Sequence, residues 1–418
     1  MRRPTVHIVG AGFSGLSAAV HLSAASDAQI VVHERGAQAG GRRRSFYDEA
    51  LGMTIDSGNS FLLPTWRSTL ATLDLIGARG QWREEPNADL AFADMATGER
   101  WTLKPNAGKI PWWTLASRRR APRTEPRDYL ALRKLRNASA DAIVADFAPS
   151  GPAAESLWRP FTLAALNIDP SRASARLAGA MYAQTLACGG SGARLMFPVG
   201  DFARAFVEPA LKYLRRREAM VRFDRNLQAL ELAGDTIAAL DFEQDRIDLS
   251  PEDALILAVP PAIASALAPG LTAPNEFTAT LTAHYAVQPP AGAPRVQGVL
   301  NGPFHWLFCY PDRICASLRD AGSLMEPPRE KVAADFWRAA AGLTGLSDAL
   351  PAWRIIRQKR AAFAATPAQD ARRPSCPTRW RNLFLAGAYV QNGLPETLES
   401  AVRSGEVAAK TLLGAHRK

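Results

Sequence analysis

A glycine-rich turn near the start of the chain limits the possible folds more than any other feature of the sequence. The β-branched run Thr5–Val9 leads into Gly10-Ala11-Gly12-Phe13-Ser14-Gly15, and a proline-free, alanine-rich stretch continues to Ala25. A second β-branched run covers Gln29–His33. A strand, a glycine turn, a helix and a strand within about 30 residues predict a βαβ unit with a parallel sheet and a right-handed crossover.

The residues of this turn suit the binding of a dinucleotide. Gly10 permits the tight turn, Gly12 lets the backbone approach a pyrophosphate, and Gly15 allows the helix to pack closely on the strand. Phe13 and Ser14 begin the helix, whose amino terminus directs unpaired N–H groups and a positive dipole end at the phosphates. We predict that all five residues contact the cofactor.

An acidic residue at the end of the second predicted strand restricts the choice of dinucleotide. Glu34 follows Gly15 by 19 residues, where a carboxylate accepts hydrogen bonds from both ribose hydroxyls. This carboxylate disfavours the additional phosphate of NADP, but it does not distinguish NAD from FAD. The neighbouring Arg35 is also predicted to bind the cofactor.

The next segment resembles the flavin amine oxidase and carotenoid desaturase superfamily. The run Gly40-Gly41-Arg42-Arg43-Arg44-Ser45 is similar to its G-G-R-x-x-[ST] motif, which passes the pyrophosphate and the ribityl chain. Backbone amides and an arginine suit that anionic group. The resemblance implies FAD as the cofactor. It also implies contacts to FAD from Gly41, Arg42, Gly58, Asn59 and Leu227. Leu227 matches the position whose backbone reads adenine, and the alternative is an ordinary strand residue.

The C-terminal part contains a further segment of this superfamily. A predicted strand over 382–386 is followed by Gly387 and Ala388, and a helix is predicted over 396–413. In the superfamily this helix directs its amino terminus at the flavin pyrimidine oxygen, which is negatively charged in the reduced state. The resemblance implies contacts from Gly387 and Ala388 and from the amides of Thr397 and Leu398. Members usually carry an acidic residue where this chain has Ala388.

Three segments narrow the resemblance to the bacterial hydroxysqualene dehydroxylases. They are the tail from Gly393 to Gly405, the segment 158–167 (WRPFTLAALN) and the segment 197–201 (FPVGD). The resemblance implies that reduced FAD transfers hydride to an allylic C30 alcohol and forms squalene, in squalene or hopanoid synthesis. The segment 56–60 lacks the Gln-His pair that is expected there in these enzymes.

The resemblance implies an α/β fold with a Rossmann-like FAD-binding domain of the amine oxidase (GR2) type and an interleaved α+β substrate domain. The predicted FAD-binding domain is discontinuous and comprises residues 1–75, 195–265 and 375–418. The predicted substrate-binding domain comprises residues 76–194 and 266–374. The first of its two segments is mostly helical in pattern, and the second mixes strands with one helix.

The chain is basic, with a formal net charge of +10. Eight lysines and arginines lie within residues 118–136, against two acidic residues. Such a cluster attracts anionic lipid head groups, and the alternative is an ordinary solvated surface. No aromatic-interleaved basic motif or zinc finger accompanies it, so no nucleic-acid partner is expected.

The sequence favours a cytoplasmic location. Met1-Arg2-Arg3-Pro4 leads directly into a predicted strand and not into an apolar signal segment. No apolar stretch is long enough to span a bilayer, and the four cysteines are scattered, as in reduced proteins. Peripheral contact with the inner face of the cytoplasmic membrane remains open.

No catalytic side chain or metal site stands out, because the six histidines lack ligand spacing and no nucleophile motif occurs. The flavin would then carry the chemistry in a dry, shaped pocket. His305-Trp306 and Trp112-Trp113 are candidates for the lining of an apolar substrate cavity or for ordinary core aromatics. The reduction of an apolar isoprenoid substrate has two rival hypotheses. One is oxidation by FAD, as in a carotenoid-type desaturase or an amine oxidase, and the other is an inactive flavoprotein. The electron donor and the oligomeric state stay open.

Overall fold

The computed structural model describes residues 3–59 and 61–415. The other residues, which are 1–2, 60 and 416–418, lie outside the described residues. Position 60 belongs to the segment 56–60, and the two other ranges are the ends of the outer segments of the predicted FAD-binding domain.

The strands are short, and most are buried on at least one face. In chain order they are β1 (Thr5–Val9), β2 (Gln29–His33), β3 (Ser45–Asp48), β4 (Met53–Asp56), β5 (Trp82–Glu84), β6 (Leu90–Asp94), β7 (Arg100–Leu103), β8 (Met196–Pro198), β9 (Met220–Arg222), β10 (Leu227–Ala233), β11 (Thr236–Phe242), β12 (Arg246–Asp248), β13 (Ala254–Leu257), β14 (Phe277–Tyr285), β15 (Val296–Leu300), β16 (Trp306–Cys309), β17 (Ile314–Arg319), β18 (Trp353–Phe363) and β19 (Leu383–Leu385).

The helices lie between these strands, together with short 3-10 and π turns. In chain order they are α1 (Phe13–Ala25), α2 (Arg67–Leu75), α3 (Pro126–Ala131), α4 (Arg159–Leu166), α5 (Ala175–Gln184), α6 (Gly190–Ala193), α7 (Glu208–Arg216), α8 (Pro261–Leu267), α9 (Arg329–Thr344), α10 (Pro367–Ala371) and α11 (Leu398–Ala415).

A parallel five-stranded sheet in the order β19-β13-β1-β2-β9 forms the first layer. The predicted βαβ unit is confirmed, because β1 and β2 pair in parallel with Val6 opposite Ile30 and α1 connects them. The strands come from three separated parts of the chain, and α11 packs against α1. The carboxyl ends of β1, β2 and β13 therefore meet at one edge, where ligands bind in open α/β sheets.

A second sheet of seven strands has the order β18-β14-β17-β16-β15-β6-β7. One face is covered by α9, where Trp337 packs on Tyr285 at 5.0 Å between ring centroids. The opposite face approaches the first layer, since Gln358 of β18 donates a hydrogen bond to the carbonyl oxygen of Arg42 at 3.2 Å. This interface between the two sheets positions the candidate site.

The expectation that residues 76–194 are mostly helical is wrong for their first third. Strands β6 and β7 lie there and form the edge of the seven-stranded sheet, with Gln297 of β15 paired in parallel to Ala91. The stacking of Phe92 on Trp101, at 5.6 Å between ring centroids, stabilises this edge. A pairing across some 200 positions leaves no periodic signal in the local sequence.

None of the helices in the described ranges combines the length and the apolar character that crossing a membrane would require. The predicted division into FAD-binding and substrate-binding segments stays a prediction at the level of its boundaries.

Candidate functional site

The glycine turn after β1 leaves no room for side chains. Gly10 adopts a φ of +107°, and a Cβ atom at this position would lie 2.4 Å from the carbonyl oxygen of Ala258. A Cβ atom at Gly15 would lie only 1.8 Å from the carbonyl oxygen of Gly10. Because contacts this short do not occur between such atoms, only glycine permits α1 to start directly above β1 and β13.

A second glycine pair joins this turn to the following loop. Gly41 has a φ of +61°, and a Cβ atom there would lie 3.1 Å from the Cα atom of Gly12. The N–H of Gly40 donates to the carbonyl oxygen of Ala11 at 2.9 Å. Two side-chain-free backbone segments thus lie against each other at the amino terminus of α1, a cradle that suits a pyrophosphate.

The first residues of α1 are held by apolar packing. The ring of Phe13 lies 4.5 Å from that of Phe206, between centroids. Ser14 is buried, and its carbonyl oxygen faces Gly405 of α11. The orientation of the helix amino terminus therefore depends on packing that the glycine motif alone does not specify.

The carboxylate of Glu34 is fixed at the same edge of the sheet. Its Oε2 accepts the N–H of Ala11 at 2.8 Å, and its Oε1 accepts the N–H of Gly36 at 2.8 Å. A carboxylate oxygen has two acceptor positions, so each oxygen keeps one for a ribose hydroxyl. The preceding His33 is fully buried, and this burial lowers its pKa to about 3, which keeps the ring neutral beneath the carboxylate.

Two further predicted residues lie near Glu34. Arg35 is exposed directly after it. Leu227 is buried at the start of β10, two residues after Arg225, whose N–H donates to the carbonyl oxygen of Glu34 at 2.8 Å. This hydrogen bond fixes Leu227 beside the acidic end of β2, where an adenine would follow the ribose.

Arg42 connects three parts of the chain. Its guanidinium donates to the carbonyl oxygen of Ala361 at 3.0 Å and forms an ion pair with Glu396. Glu396 also accepts the N–H of Phe363 at 2.5 Å. Arg42 therefore links the glycine loop, which is residues 40–45, to β18 and to the segment before α11. The sequence indicated a cofactor contact at Arg42 and did not reveal this protein network, because its partners are distant along the chain.

The start of α11 differs slightly from the prediction. The N–H of Thr397 donates to the carbonyl oxygen of Pro395 at 2.8 Å, and its hydroxyl accepts the N–H of Ser400 at 3.1 Å. Thr397 thus acts as the helix cap, and Leu398 is the first helical residue. The Leu398 amide, which helix geometry leaves without an intrahelical acceptor, remains the better candidate of the two predicted amides.

Gly387 and Ala388 form a buried bend between β19 and α11. The N–H of Gly387 donates to the hydroxyl of Ser404 at 2.9 Å. The carbonyl oxygen of Ala388 accepts hydrogen bonds from Ser400 at 3.0 Å and from Arg373 at 3.2 Å. The charge of Arg373 is neutralised by Asp370 at 3.1 Å. A cation therefore lies next to Ala388, where the resemblance leads us to expect an acidic residue.

Gly58 and Asn59 lie where the two sheets approach each other. The amide oxygen of Asn59 accepts the hydroxyl hydrogen bond of Tyr310 at 3.0 Å, and Gln358 lies 4.0 Å from a Cβ atom placed at Gly58. The amide nitrogen of Asn59 is buried without a protein partner among the described residues, as is the hydroxyl of Tyr389. Buried polar atoms normally find a partner, so these atoms, together with the glycine cradle, fit a polar cofactor between the sheets.

The tryptophan candidates occupy different environments. His305 and Trp306 line a cavity of about 100 Å³ together with Arg159 and Leu163. Trp113 is a core residue that packs edge-on against Tyr129 at 4.9 Å between centroids. Its neighbour Trp112 is exposed. The pair His305-Trp306 therefore borders a cavity, and that cavity has charged as well as apolar walls.

Known proteins resemble this chain along nearly its whole length. The family described as flavin containing amine oxidoreductase matches residues 13–413. Hydroxysqualene dehydroxylase from Rhodopseudomonas palustris is 42% identical over 415 residues, which cover 99% of both chains. The protein of that name from Zymomonas mobilis is 36% identical over 413 residues, covering 97% of this chain and 98% of the relative.

Solved structures share the architecture at lower identity. Cyclohexylamine oxidase from Brevibacterium oxydans has a TM-score of 0.71 and 17% identity, with 100% of both chains covered. Wild-type putrescine oxidase bound to putrescine has a TM-score of 0.69 and 17% identity, with 99% of both chains covered. These likenesses concern the fold, and they confirm the predicted fold class.

Proposed function

Because the chain belongs to the flavin containing amine oxidoreductase family and aligns from end to end with hydroxysqualene dehydroxylases, we propose that it reduces hydroxysqualene to squalene. In this reaction the allylic C–O bond breaks, a C–H bond forms with hydride from reduced FAD, and a proton leaves with the hydroxide as water. The 42% identity over nearly the full length to two such relatives is the observation that carries the proposal. The reaction would form squalene as a step in squalene and hopanoid synthesis.

The residues at the edge of the parallel sheet are suited to hold FAD. We assign the pyrophosphate to the backbone of Gly12 and Gly41 and to the first turn of α1. The ribose hydroxyls are assigned to Glu34, and the pyrimidine side of the flavin to the amide of Leu398. Bound and reduced FAD supplies the hydride. The protein groups around it orient the cofactor and separate it from water.

The departing hydroxyl group needs a donor that is protonated at neutral pH. Burial lowers the pKa of His284 to about 3 and that of His305 to about 4, so neither ring is protonated at neutral pH. Burial lowers the pKa of Arg319 to about 10, which leaves its guanidinium charged. Arg319 is therefore a better donor than either histidine.

The position of Arg319 supports this role. It pairs with Thr280 across β17 and β14, and Gln358 pairs with the same threonine from β18. Because Gln358 bonds the carbonyl oxygen of Arg42, this row of residues reaches the glycine loop. The Nε atom of Arg319 is buried and has no partner within the described ranges. We assign to Arg319 a hydrogen bond to the departing hydroxyl group.

Replacement of Arg319 tests this assignment. A hydrogen bond from a charged donor contributes about 1.5–3 kcal/mol, so we expect Arg319→Gln to lower kcat about 10–100-fold, with partial recovery in Arg319→Lys. The FAD spectrum and the KM should stay close to those of the parent. Arg338→Gln, an exposed position on α9, is the matched control. A kcat within twofold of the parent in both Arg319 variants would contradict the role.

A C30 isoprenoid alcohol partitions into membranes, so the enzyme must meet a lipid surface. We propose that it associates peripherally with the inner face of the cytoplasmic membrane through the basic residues 118–136. Lysines and arginines near an anionic leaflet each contribute about 1 kcal/mol of attraction.

The deciding experiment is an anaerobic turnover assay. Holoenzyme is reduced with dithionite, mixed with detergent-solubilised hydroxysqualene, and analysed for squalene by mass spectrometry while the flavin spectrum is recorded. We expect squalene in proportion to reoxidised flavin. No squalene from protein with FAD demonstrably bound would overturn the proposal. Bleaching of the oxidised flavin by a primary amine or by a polyene precursor would favour an amine oxidase or a desaturase instead.

A further inference from the structure

A short surface loop exposes three large apolar side chains that the proposed reaction does not use. Within residues 106–117, Ile110 is 78% exposed, Leu115 is 72% exposed and Trp112 is 51% exposed. Single exposed hydrophobic residues are common on protein surfaces. Three within six positions form a patch of the kind that marks an interaction surface.

The loop is held rigidly in this shape. The buried amide of Asn106 donates to the carbonyl oxygens of Gly108 at 2.9 Å and Ile110 at 3.0 Å, and accepts the N–H of Trp113 at 3.3 Å. The side chain of Trp113 anchors the loop in the core against Tyr129. The exposure of the apolar residues is thus built into the fold, because the backbone that carries them is tied down from inside.

The contacts beneath the loop support this conclusion. Gly189 has a φ of +74°, and a Cβ atom there would lie 2.3 Å from the carbonyl oxygen of Gly108. The N–H of Gly190 donates to the carbonyl oxygen of Asn106 at 2.7 Å. Two backbone segments therefore meet without side chains between them, and this contact holds the backbone of the loop in place.

The charged residues in the segment that carries the apolar tips are all positive. Residues 104–120 contain Lys104, Lys109 and three consecutive arginines, and no acidic residue. The guanidinium of Arg119 lies 4.8 Å above the ring of Trp112 and donates to the carbonyl oxygen of Lys104 at 2.9 Å. Residues 104–136 hold ten basic and two acidic residues, and so contribute most of the net charge of +10.

We propose that residues 106–117 insert into the head-group region of an anionic lipid bilayer, with Ile110, Trp112 and Leu115 as the buried tips. Apolar side chains flanked by lysines and arginines are the combination that binds such an interface. Tryptophan prefers the level of the head groups, and arginines and lysines pair with the phosphates. This inference deepens the proposed function and rests on it for the source of the substrate. Residues 106–117 are the segment that inserts, and the basic residues 118–136 attract the protein to the membrane.

Vesicle sedimentation of the full-length holoenzyme tests the insertion. Vesicles of phosphatidylcholine alone are compared with vesicles of phosphatidylcholine mixed with phosphatidylglycerol. The double variant Ile110→Asp/Leu115→Asp removes two tips at exposed positions. Leu350→Asp is the matched control, since Leu350 is 42% exposed outside the loop. We expect the double variant to lower the partition coefficient on anionic vesicles at least about tenfold, and the control to change it less than twofold.

Lipids with brominated acyl chains provide a second readout. We expect anionic vesicles to quench part of the tryptophan fluorescence of the parent and of Trp113→Phe, but much less of that of Trp112→Phe. Equal binding of parent and double variant, equal loss in the control, or quenching that does not depend on Trp112 would overturn the proposal. The proposal would also be overturned if the parent self-associated in the absence of lipid and the double variant did not. The patch would then bind a second copy of the chain.

Activity on detergent-solubilised hydroxysqualene separates this inference from the proposed function. We expect the double variant to match the parent there and to fall behind only when the substrate is supplied in vesicles. Vesicle binding without any turnover would contradict the proposed function and support the insertion. Turnover in detergent without vesicle binding would support the proposed function and contradict the insertion.

Discussion

Gly405→Ala is the substitution whose effect follows most directly from the packing of the cofactor turn. A Cβ atom at Gly405 would lie 2.1 Å from the carbonyl oxygen of Ser14 and 2.8 Å from the Cβ atom of Ser17. Since nonbonded heavy atoms approach to about 3.5 Å, α11 and α1 must separate by about 1 Å. The hydrogen bond from the Ser17 hydroxyl to the carbonyl oxygen of Val402, 2.8 Å long, lies in the same interface.

The magnitude follows from two opposing contributions. Overpacking a rigid interface costs about 3 kcal/mol, whereas alanine gains about 1 kcal/mol over glycine inside a helix. We expect the free energy of unfolding to fall by about 2 kcal/mol. Because Ser14 belongs to the turn that holds the pyrophosphate, the same strain would raise the Kd for FAD by up to about 30-fold.

The assay is urea unfolding of the apoprotein together with a fluorescence titration of FAD. Gly414→Ala in the same helix is the control, since a Cβ atom there meets no atom within 4 Å, and we expect a small gain in stability from it. A stability and an FAD affinity of Gly405→Ala equal to those of the parent would refute the reasoning. So would an equal loss in Gly414→Ala, because the loss would then not come from the helix contact.

Three further predictions concern charges. Glu34→Gln should weaken FAD binding by about 1–3 kcal/mol, measured as an about 5- to 150-fold higher Kd in the same titration. An unchanged Kd would remove Glu34 from the site. Burial lowers the pKa of His33 from 6.5 to about 3, so the stability that its neutral ring provides is complete above pH 6.5 and decreases as the pH falls towards 3. His33→Phe should make the free energy of unfolding in urea depend less on pH in this acidic range. An identical pH dependence in parent and variant would contradict the assignment. Asp370→Ala removes the carboxylate that pairs with the buried Arg373 and should lower the free energy of unfolding by about 3–5 kcal/mol. Asp235→Ala removes an exposed ion pair and should change the free energy of unfolding by less than about 1 kcal/mol. Similar losses in the two variants would contradict the role of burial.

The parts of the site that are contiguous in sequence could be predicted from it. Helix α1 and strands β1 and β2 have the predicted bounds, because a β-branched run, a glycine turn and an alanine-rich stretch each determine their own backbone conformation. Gly10 and Gly15 could be identified from the spacing of the turn, and the contact of Gly15 with the carbonyl oxygen of Gly10 lies within it. The contact of Gly10 with Ala258 joins distant parts of the chain, and the sequence does not indicate it. The start of α11 was predicted two residues early, because the cap at Thr397 depends on a turn around Pro395.

The parts that connect distant segments could not be predicted. The ion pair of Arg42 with Glu396 and the hydrogen bond of Tyr310 with Asn59 join residues more than 200 positions apart. Nothing in the residues around either partner indicates the other. The same holds for β6, whose parallel partner β15 decides that it is a strand. Non-local pairing of this kind is set by the whole fold and not by local preference.

The contact between α1 and α11 has a consequence for the order in which a newly made chain matures. The glycine turn is made well before α11, yet the face of α1 that packs on α11 is covered only when residues 398–415 have also been made. Strand β19 likewise completes the parallel sheet from the far end of the chain. Long-range closure of this kind is slow. Stable loading of FAD should therefore follow the synthesis of α11 and β19, and until then a nascent polypeptide would carry a phosphate-binding turn that is not yet held firmly.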